Sequence, residues 1–96
     1  MKAIIEKIKT ITAEEFATTI EELNTSNFEL PRVARQAAMN LISEFCLLSD
    51  GTIGPFFGNR THGSVFNARK RVSDALDVNP GFKMTYQRIK ERIQES

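Results

Sequence analysis

The sequence predicts a small all-α domain that contains a helix-turn-helix. Apolar residues recur at helical spacing along most of the chain, and clusters of glycine, proline and asparagine separate these runs. No segment shows the strict alternation of apolar and polar residues that is typical of a half-buried strand. At 96 residues the chain is long enough for one domain with one modest core.

The first third of the chain is predicted to be helical. Ile4, Ile8 and Ile11 share one face of a first helix. The segment TAEE at residues 12–15 fits a capping box, and it would start a second helix that buries Phe16, Ile20 and Leu23. Turn-forming residues follow at 24–27. We therefore expect residues 1–29 to form an N-terminal helical extension of a domain that spans residues 30–96.

A central helix is predicted to follow, with Pro31 in its first turn, where the missing N–H costs nothing. Its polar edge would face solvent or a partner and consists of Arg32, Gln36, Asn40 and Ser43. Its apolar stripe should be the most buried in the protein and consists of Ala34, Ala37, Ala38, Leu41, Phe45 and Leu48. The segment SDG at residues 49–51 is predicted to end this helix as a turn.

The second half of the chain has the layout of a helix-turn-helix. A short helix is predicted over residues 52–57, and Gly58 and Asn59 suit a tight turn because both tolerate positive φ. Thr61 can then cap a longer helix that runs to about residue 78. A last helix, after the break at 79–81, would bury Phe82, Tyr86, Ile89 and Ile93.

Charge is distributed unevenly along the chain, although the net charge is only +1. Residues 1–29 contain three lysines and six glutamates, whereas residues 30–96 contain ten Lys or Arg and six Asp or Glu. Residues 51–73 contain no acid but include Arg60, Arg69, Lys70 and Arg71. Such a segment indicates contact with phosphates. On charge alone, a solvated helix face explains it equally well.

Three segments of the sequence carry a family resemblance. IGPFFGNRTHGSVFNA at 53–68, RQAAMNL at 35–41 and NPGFK at 79–83 together resemble the C-terminal DNA-binding domain of the bacterial replication initiator DnaA. The resemblance covers residues 30–95 well and residues 8–23 only weakly. It implies a duplex-DNA-binding domain whose fold is similar to that of the Trp repressor.

The resemblance also implies roles for individual residues. It assigns base contacts in the major groove to Thr61, His62, Gly63 and Ser64. It places Arg35, Gln36, Ser43, Arg60 and Asn67 near the DNA backbone, and the basic segment adds Lys70 and Arg71 as backbone contacts. The family has an Asp at the position of Thr61, a Thr at that of Gly63 and a basic arm before the central helix. Residues 25–29 contain no basic residue, so we expect altered and weaker sequence specificity.

Several kinds of site are not expected. The chain lacks the Gly-x-x-x-x-Gly-Lys-[Ser/Thr] loop of an ATPase, and nothing in it predicts an enzyme, a cofactor or a small-molecule substrate. His62 is the only histidine, and no acids or cysteines are spaced to complete a metal site with it. Cys46 lies in the apolar stripe of the central helix. With one cysteine and no long apolar run, we expect the protein in the cytoplasm. The resemblance implies association with the nucleoid, and we expect a monomer.

Two classes of function stay open. The first is a double-stranded-DNA-binding module that serves replication initiation or its regulation. The second is an adaptor that keeps the fold but has lost DNA binding, with its acidic N-terminal helices docking a protein partner. The acid-free segment and the motif around His62 favour the first class, and the absence of a basic arm favours the second.

Overall fold

The computed structural model describes residues 1–95, and within them it contains α-helices, one 3₁₀ helix and no strand. The prediction of an all-α fold is confirmed. The 3₁₀ helix, Gly54–Phe57, directly continues α4. The α-helices are α1 (Lys2–Glu15), α2 (Ile20–Thr25), α3 (Glu29–Cys46), α4 (Asp50–Ile53), α5 (His62–Val78) and α6 (Pro80–Glu95).

The capping box predicted at residues 12–15 is wrong. Thr12 lies inside α1, fully buried, and its hydroxyl donates to the carbonyl of Ile8 at 2.7 Å. The second helix begins instead at a later Thr-x-x-Glu sequence, where the Thr19 hydroxyl accepts from the backbone N–H of Glu22 at 3.1 Å. Thr12 continues the buried face of α1, so tertiary packing keeps it helical although its sequence also suits a cap.

The link between α1 and α2 is a Schellman turn. The N–H of Thr18 donates to the carbonyl of Ala13 at 2.9 Å, and the N–H of Ala17 donates to that of Glu14 at 3.1 Å. Ala17 has a φ of 56°, in the left-handed region that this turn requires and that usually selects glycine. Because a residue with a Cβ is strained at positive φ, Ala17 makes this end of α1 less stable than glycine would.

The turn after α3 lies earlier than predicted. Pro31 does stand in the first turn of α3, but the helix ends at Cys46, and Leu47 adopts a φ of 55°. Asp50, predicted to lie in the turn, begins α4 instead, with Ser49 as the residue before it. The short helix is therefore longer than predicted, and only its second half, from Gly54, is a 3₁₀ helix.

One hydrophobic core draws on all the helices of residues 1–95. Ile5 and Ile8 of α1 are fully buried in the same cluster as Leu41 of α3, Val65 of α5 and Ile89 of α6. The stripe predicted for α3 is buried at Ala34, Ala37, Ala38 and Leu41 and half-buried at Phe45 and Leu48. The boundary of a separate extension at residue 29 stays a prediction. In the structure α1 contributes side chains to the core that supports α5.

Ion pairs and hydrogen bonds fasten α6 to the rest of the bundle. Arg92 contacts Glu14 at 2.6 Å and Glu15 at 3.0 Å, and Arg88 contacts Glu15 at 3.2 Å. Glu14 and Glu15 therefore hold α1 against α6, and this gives two of the glutamates in the acidic N-terminal segment a structural role. Contacts with the carboxylates also raise the pKa of Arg92.

Candidate nucleic-acid interface

The helix-turn-helix is formed by α4 with its 3₁₀ extension, a four-residue turn at 58–61 and α5. Ile53 and Phe57 are fully buried and anchor the short helix in the core. A side chain at Gly54 would collide with the carbonyl of Arg60, since a Cβ there would lie 1.9 Å from that oxygen. The turn itself has positive φ at Gly58 (77°) and Asn59 (59°), as the sequence predicts. This geometry brings the chain directly into α5.

The first turn of α5 is open to a partner. Thr61 caps the helix, and its hydroxyl accepts from the backbone N–H of Ser64 at 3.2 Å. Thr61, His62 and Ser64 are exposed, and Gly63 is half-exposed. A Cβ placed on Gly63 would meet nothing within 4 Å. The structure thus brings together the four residues predicted to contact bases, at one unobstructed helix end.

A basic cleft of about 340 Å³ lies between α3 and α5, next to that helix end. Its lining includes Ser64 and four residues predicted to contact the DNA backbone, which are Arg35, Gln36, Asn67 and Arg71. The full lining is Arg32, Arg35, Gln36, Met39, Ser64, Asn67, Ala68 and Arg71. Arginine, glutamine, asparagine and serine side chains are donors that suit phosphate oxygens.

Arg32 is missing from the predicted site, although it belongs to the predicted polar edge of α3. It is exposed and lines the cleft, and no acidic partner for it occurs within residues 1–95. Its position one turn before Gln36 on the same helix face is the signal that identifies it. The structure adds it to the basic surface.

Arg35 and Arg60 contact the protein's own backbone at the C-terminal end of α2. Arg35, only 7% exposed, donates to the carbonyls of Leu23 at 3.2 Å and Ser26 at 2.9 Å. Burial, with the charges of Arg60 and Arg32 nearby, lowers the pKa of Arg35.

Arg60 donates to the carbonyl of Asn24 at 2.8 Å and to that of Phe57 at 3.0 Å. The carbonyls at a helix C-terminus carry partial negative charge, so they are good partners for a guanidinium. Arg35 therefore ties α2 to α3, and Arg60 ties it to the turn before α5.

The remaining cations of the acid-free segment, and Ser43, lie in different surroundings. Arg69 pairs with Asp50 of α4 at 2.6 Å, which links the two helices of the helix-turn-helix. Lys70 and Arg71 are exposed, and neither has an ion-pair partner in the described part of the chain. Ser43 is half-buried further along α3, outside the residues that line the cleft.

No three His, Cys, Asp or Glu side chains in residues 1–95 lie close enough together to hold a metal ion. None of the helices described there is both long and apolar enough to cross a bilayer. Burial raises the pKa of the half-buried Cys46 thiol, which makes it a poor nucleophile.

Comparison with known proteins gives the family. The model of the bacterial dnaA protein helix-turn-helix matches residues 5–72, from α1 through most of α5. The chain belongs to this family. It is 33% identical over 90 residues to the chromosomal replication initiator protein DnaA of Leifsonia xyli, an alignment that covers 93% of this chain and 19% of that protein.

Other DnaA proteins give the same picture. The one from Bacteroides thetaiotaomicron is 36% identical over 62 residues, covering 65% of this chain and 13% of the relative. The one from Nostoc is 29% identical over 96 residues, covering 98% of this chain and 21% of the relative. In the Leifsonia and Nostoc alignments nearly the whole of this chain is matched, and it spans about a fifth of the relative's length. The resemblance predicted from the three sequence segments is confirmed.

Proposed function

We propose that this chain binds double-stranded DNA in a sequence-specific manner, with the N-terminal end of α5 in the major groove. The observation that carries the proposal is the exposed first turn of α5 beside the arginine-lined cleft. A helix fits the major groove, and residues in its first turn reach the base edges, while the preceding helix braces it. The positive end of the helix dipole adds attraction for phosphates.

The residues divide into those that read bases and those that hold the DNA backbone. Base contacts are assigned to Thr61, His62, Gly63 and Ser64, whose positions face outward from the helix end. Backbone contacts are assigned to exposed cations and to amides that line the cleft. These are Arg32, Gln36, Asn67, Lys70 and Arg71.

The remaining predicted backbone contacts have a smaller direct part in binding the DNA. Arg35 and Arg60 hold α2 against the cleft and the turn, and only guanidinium nitrogens not used in those bonds are left for a phosphate. Ser43, outside the cleft, would contact the backbone only at the far edge of the interface.

The process served is proposed from the family. The matched relatives are named chromosomal replication initiator proteins, and this chain corresponds to about a fifth of their length. We place it in replication initiation or its regulation, as a monomeric binding module that acts on the nucleoid and carries out no reaction of its own.

A second candidate is an adaptor that has lost DNA binding. It is favoured by the exposed Glu21 and Glu22 of α2 and by the absence of any basic residue at 25–29. Exposed acidic residues on α2 would repel phosphates and would suit a basic protein partner instead.

Selection from a pool of random duplexes, followed by binding titrations of two variants, separates the candidates. His62→Ala should lower affinity for an enriched site by about 1–3 kcal/mol and leave random-duplex binding nearly unchanged, because a base contact carries sequence information. Lys70→Ala should weaken both duplexes alike, because a phosphate contact carries none.

The two variants are matched controls for each other, since both change one exposed residue of α5. Equal effects of both on every duplex would refute the division of roles along α5. A selection that enriches no sequence would leave a non-specific DNA binder, and the absence of any duplex binding would favour the adaptor.

A further inference from the structure

Phe66 is an exposed aromatic side chain on the helix that the proposed function places in the major groove. It is 58% exposed and lies one turn after His62. The buried face of α5 is formed by Val65, Ala68 and Val72. Helical periodicity puts Gly63 and Lys70 on the opposite face, with Phe66 on the flank beside them. An apolar ring therefore stands on the outward surface of α5 and is not part of the hydrophobic core.

Gly63 leaves the outer face of α5 without a side chain that would hold a partner away from the helix. A Cβ at Gly63 would meet no atom within 4 Å, so the protein leaves the space in front of it open. A helix without a side chain at the centre of its outer face can approach the groove more closely. The residues one turn further on, Phe66 and Asn67, then come nearer to the base edges.

The surroundings of Phe66 suit DNA. The ring borders a depression of about 500 Å³ that includes the exposed cation Lys70 and the hydroxyl of Ser73. The acid in this depression, Glu44, contacts Tyr86 at 3.0 Å and Lys90 at 3.3 Å, so its charge is partly neutralised. A cation and a hydroxyl on the same flank provide contacts for the phosphates beside a base that the ring touches.

We propose that Phe66 reads the C5-methyl group of thymine in the major groove. This inference rests on the proposed function, and it adds a specificity residue outside the first turn of α5. Thymine alone among the four bases presents an apolar group in that groove, and a phenylalanine ring can form an apolar contact with it. Gly63 supplies the close approach that such a contact needs.

The test removes the methyl group from the DNA and the ring from the protein. Fluorescence anisotropy measures binding of the full chain to the enriched site and to the same duplex with deoxyuridine in place of every thymine. We expect the unmodified chain to bind the thymine duplex about fourfold to fifteenfold more tightly, the range expected for burying one or two methyl groups. Phe66→Ala should bind both duplexes equally.

Two further variants separate the contact from general effects. Met84→Ala removes another exposed apolar side chain, 65% exposed on α6, and should keep the full thymine preference. Gly63→Leu should reduce the preference while circular dichroism shows an unchanged helical fold, because it fills the open space and lifts the helix from the groove.

Equal binding of the thymine and deoxyuridine duplexes by the unmodified chain would overturn the inference. So would an unchanged preference in Phe66→Ala, or a selection that enriches no site. In each of these cases, binding of the chain to any duplex at low salt keeps the DNA-binding proposal itself intact. Failure to bind any duplex would refute both.

Discussion

Arginine has two different uses in this protein, and the partner of each guanidinium distinguishes them. Arg35 and Arg60 donate to carbonyls at the end of α2, and Arg69 pairs with Asp50. Arg32 and Arg71 are exposed at the cleft, with no acidic partner among residues 1–95. The first group stabilises the fold around the interface, and the second is available to phosphates.

Arg60→Ala should therefore act mainly on stability. It removes charged hydrogen bonds to the carbonyls of Asn24 and Phe57, and we expect a loss of about 1.5–3 kcal/mol in the free energy of unfolding. Urea unfolding followed by circular dichroism measures it. Arg71→Ala is the matched control, and it should change stability by no more than about 0.5 kcal/mol.

The same pair should behave in the opposite way on DNA. Arg71→Ala should reduce the slope of log affinity against log salt by about one unit, because one phosphate contact is lost. If Arg60→Ala were as stable as the unmodified protein and also lost a unit of slope, its role as a fold-stabilising residue would be refuted.

Sequence reasoning located the basic surface but could not assign the individual arginines. Arg60 and Asn24 are 36 positions apart, and nothing in the local sequence indicates that a carbonyl of α2 lies beside the turn. The exposed first turn of α5 was predictable, because the cap at Thr61 and the open Gly63 depend on local geometry.

Helix ends are the elements that the sequence predicted least well. Three Thr-x-x-Glu sequences occur in the first 22 residues, and the local pattern cannot tell which of them starts a helix. Burial of Thr12 in the core decides in favour of Thr19. By contrast, the presence of a long helix from about residue 61 to residue 78 was predicted accurately, since its apolar residues repeat with a regular helical period.

Ala17→Gly should stabilise the end of α1. Ala17 has a φ of 56°, which costs free energy for any residue with a Cβ and nothing for glycine. We expect a gain of about 0.5–1 kcal/mol in thermal or urea unfolding. Ala3→Gly, an equivalent change inside the first turn of α1, should instead destabilise the protein, by up to about 1 kcal/mol. Destabilisation by both variants would contradict the Schellman turn.

At the scale of the whole molecule, the packing makes α1 part of the support for the helix-turn-helix. Ile5 and Ile8 belong to the same buried cluster as Leu41 and Val65. Lys9 of α1 is also buried and donates to the carbonyl of Phe56, with its ammonium 4.7 Å from the centre of the Phe57 ring. The N-terminal helix thus holds the short helix of the helix-turn-helix in place.

Ile8→Ala and Leu41→Ala should each lower stability by about 2–5 kcal/mol, because both side chains are fully buried in the shared core. In urea, both variants should unfold in one transition, with the same midpoint by circular dichroism and by tyrosine fluorescence from Tyr86 of α6. A separate early transition in Ile8→Ala alone would show that residues 1–29 form an independent extension.

The central claim is that a surface of exposed cations around α5 binds duplex DNA. The most direct test is a salt titration of duplex binding by the full chain, measured by fluorescence anisotropy. With Arg32, Lys70 and Arg71 as the principal phosphate contacts, we predict binding at low salt and a log–log slope of about −3. No binding at low salt, or an affinity that does not change with salt, would contradict the claim.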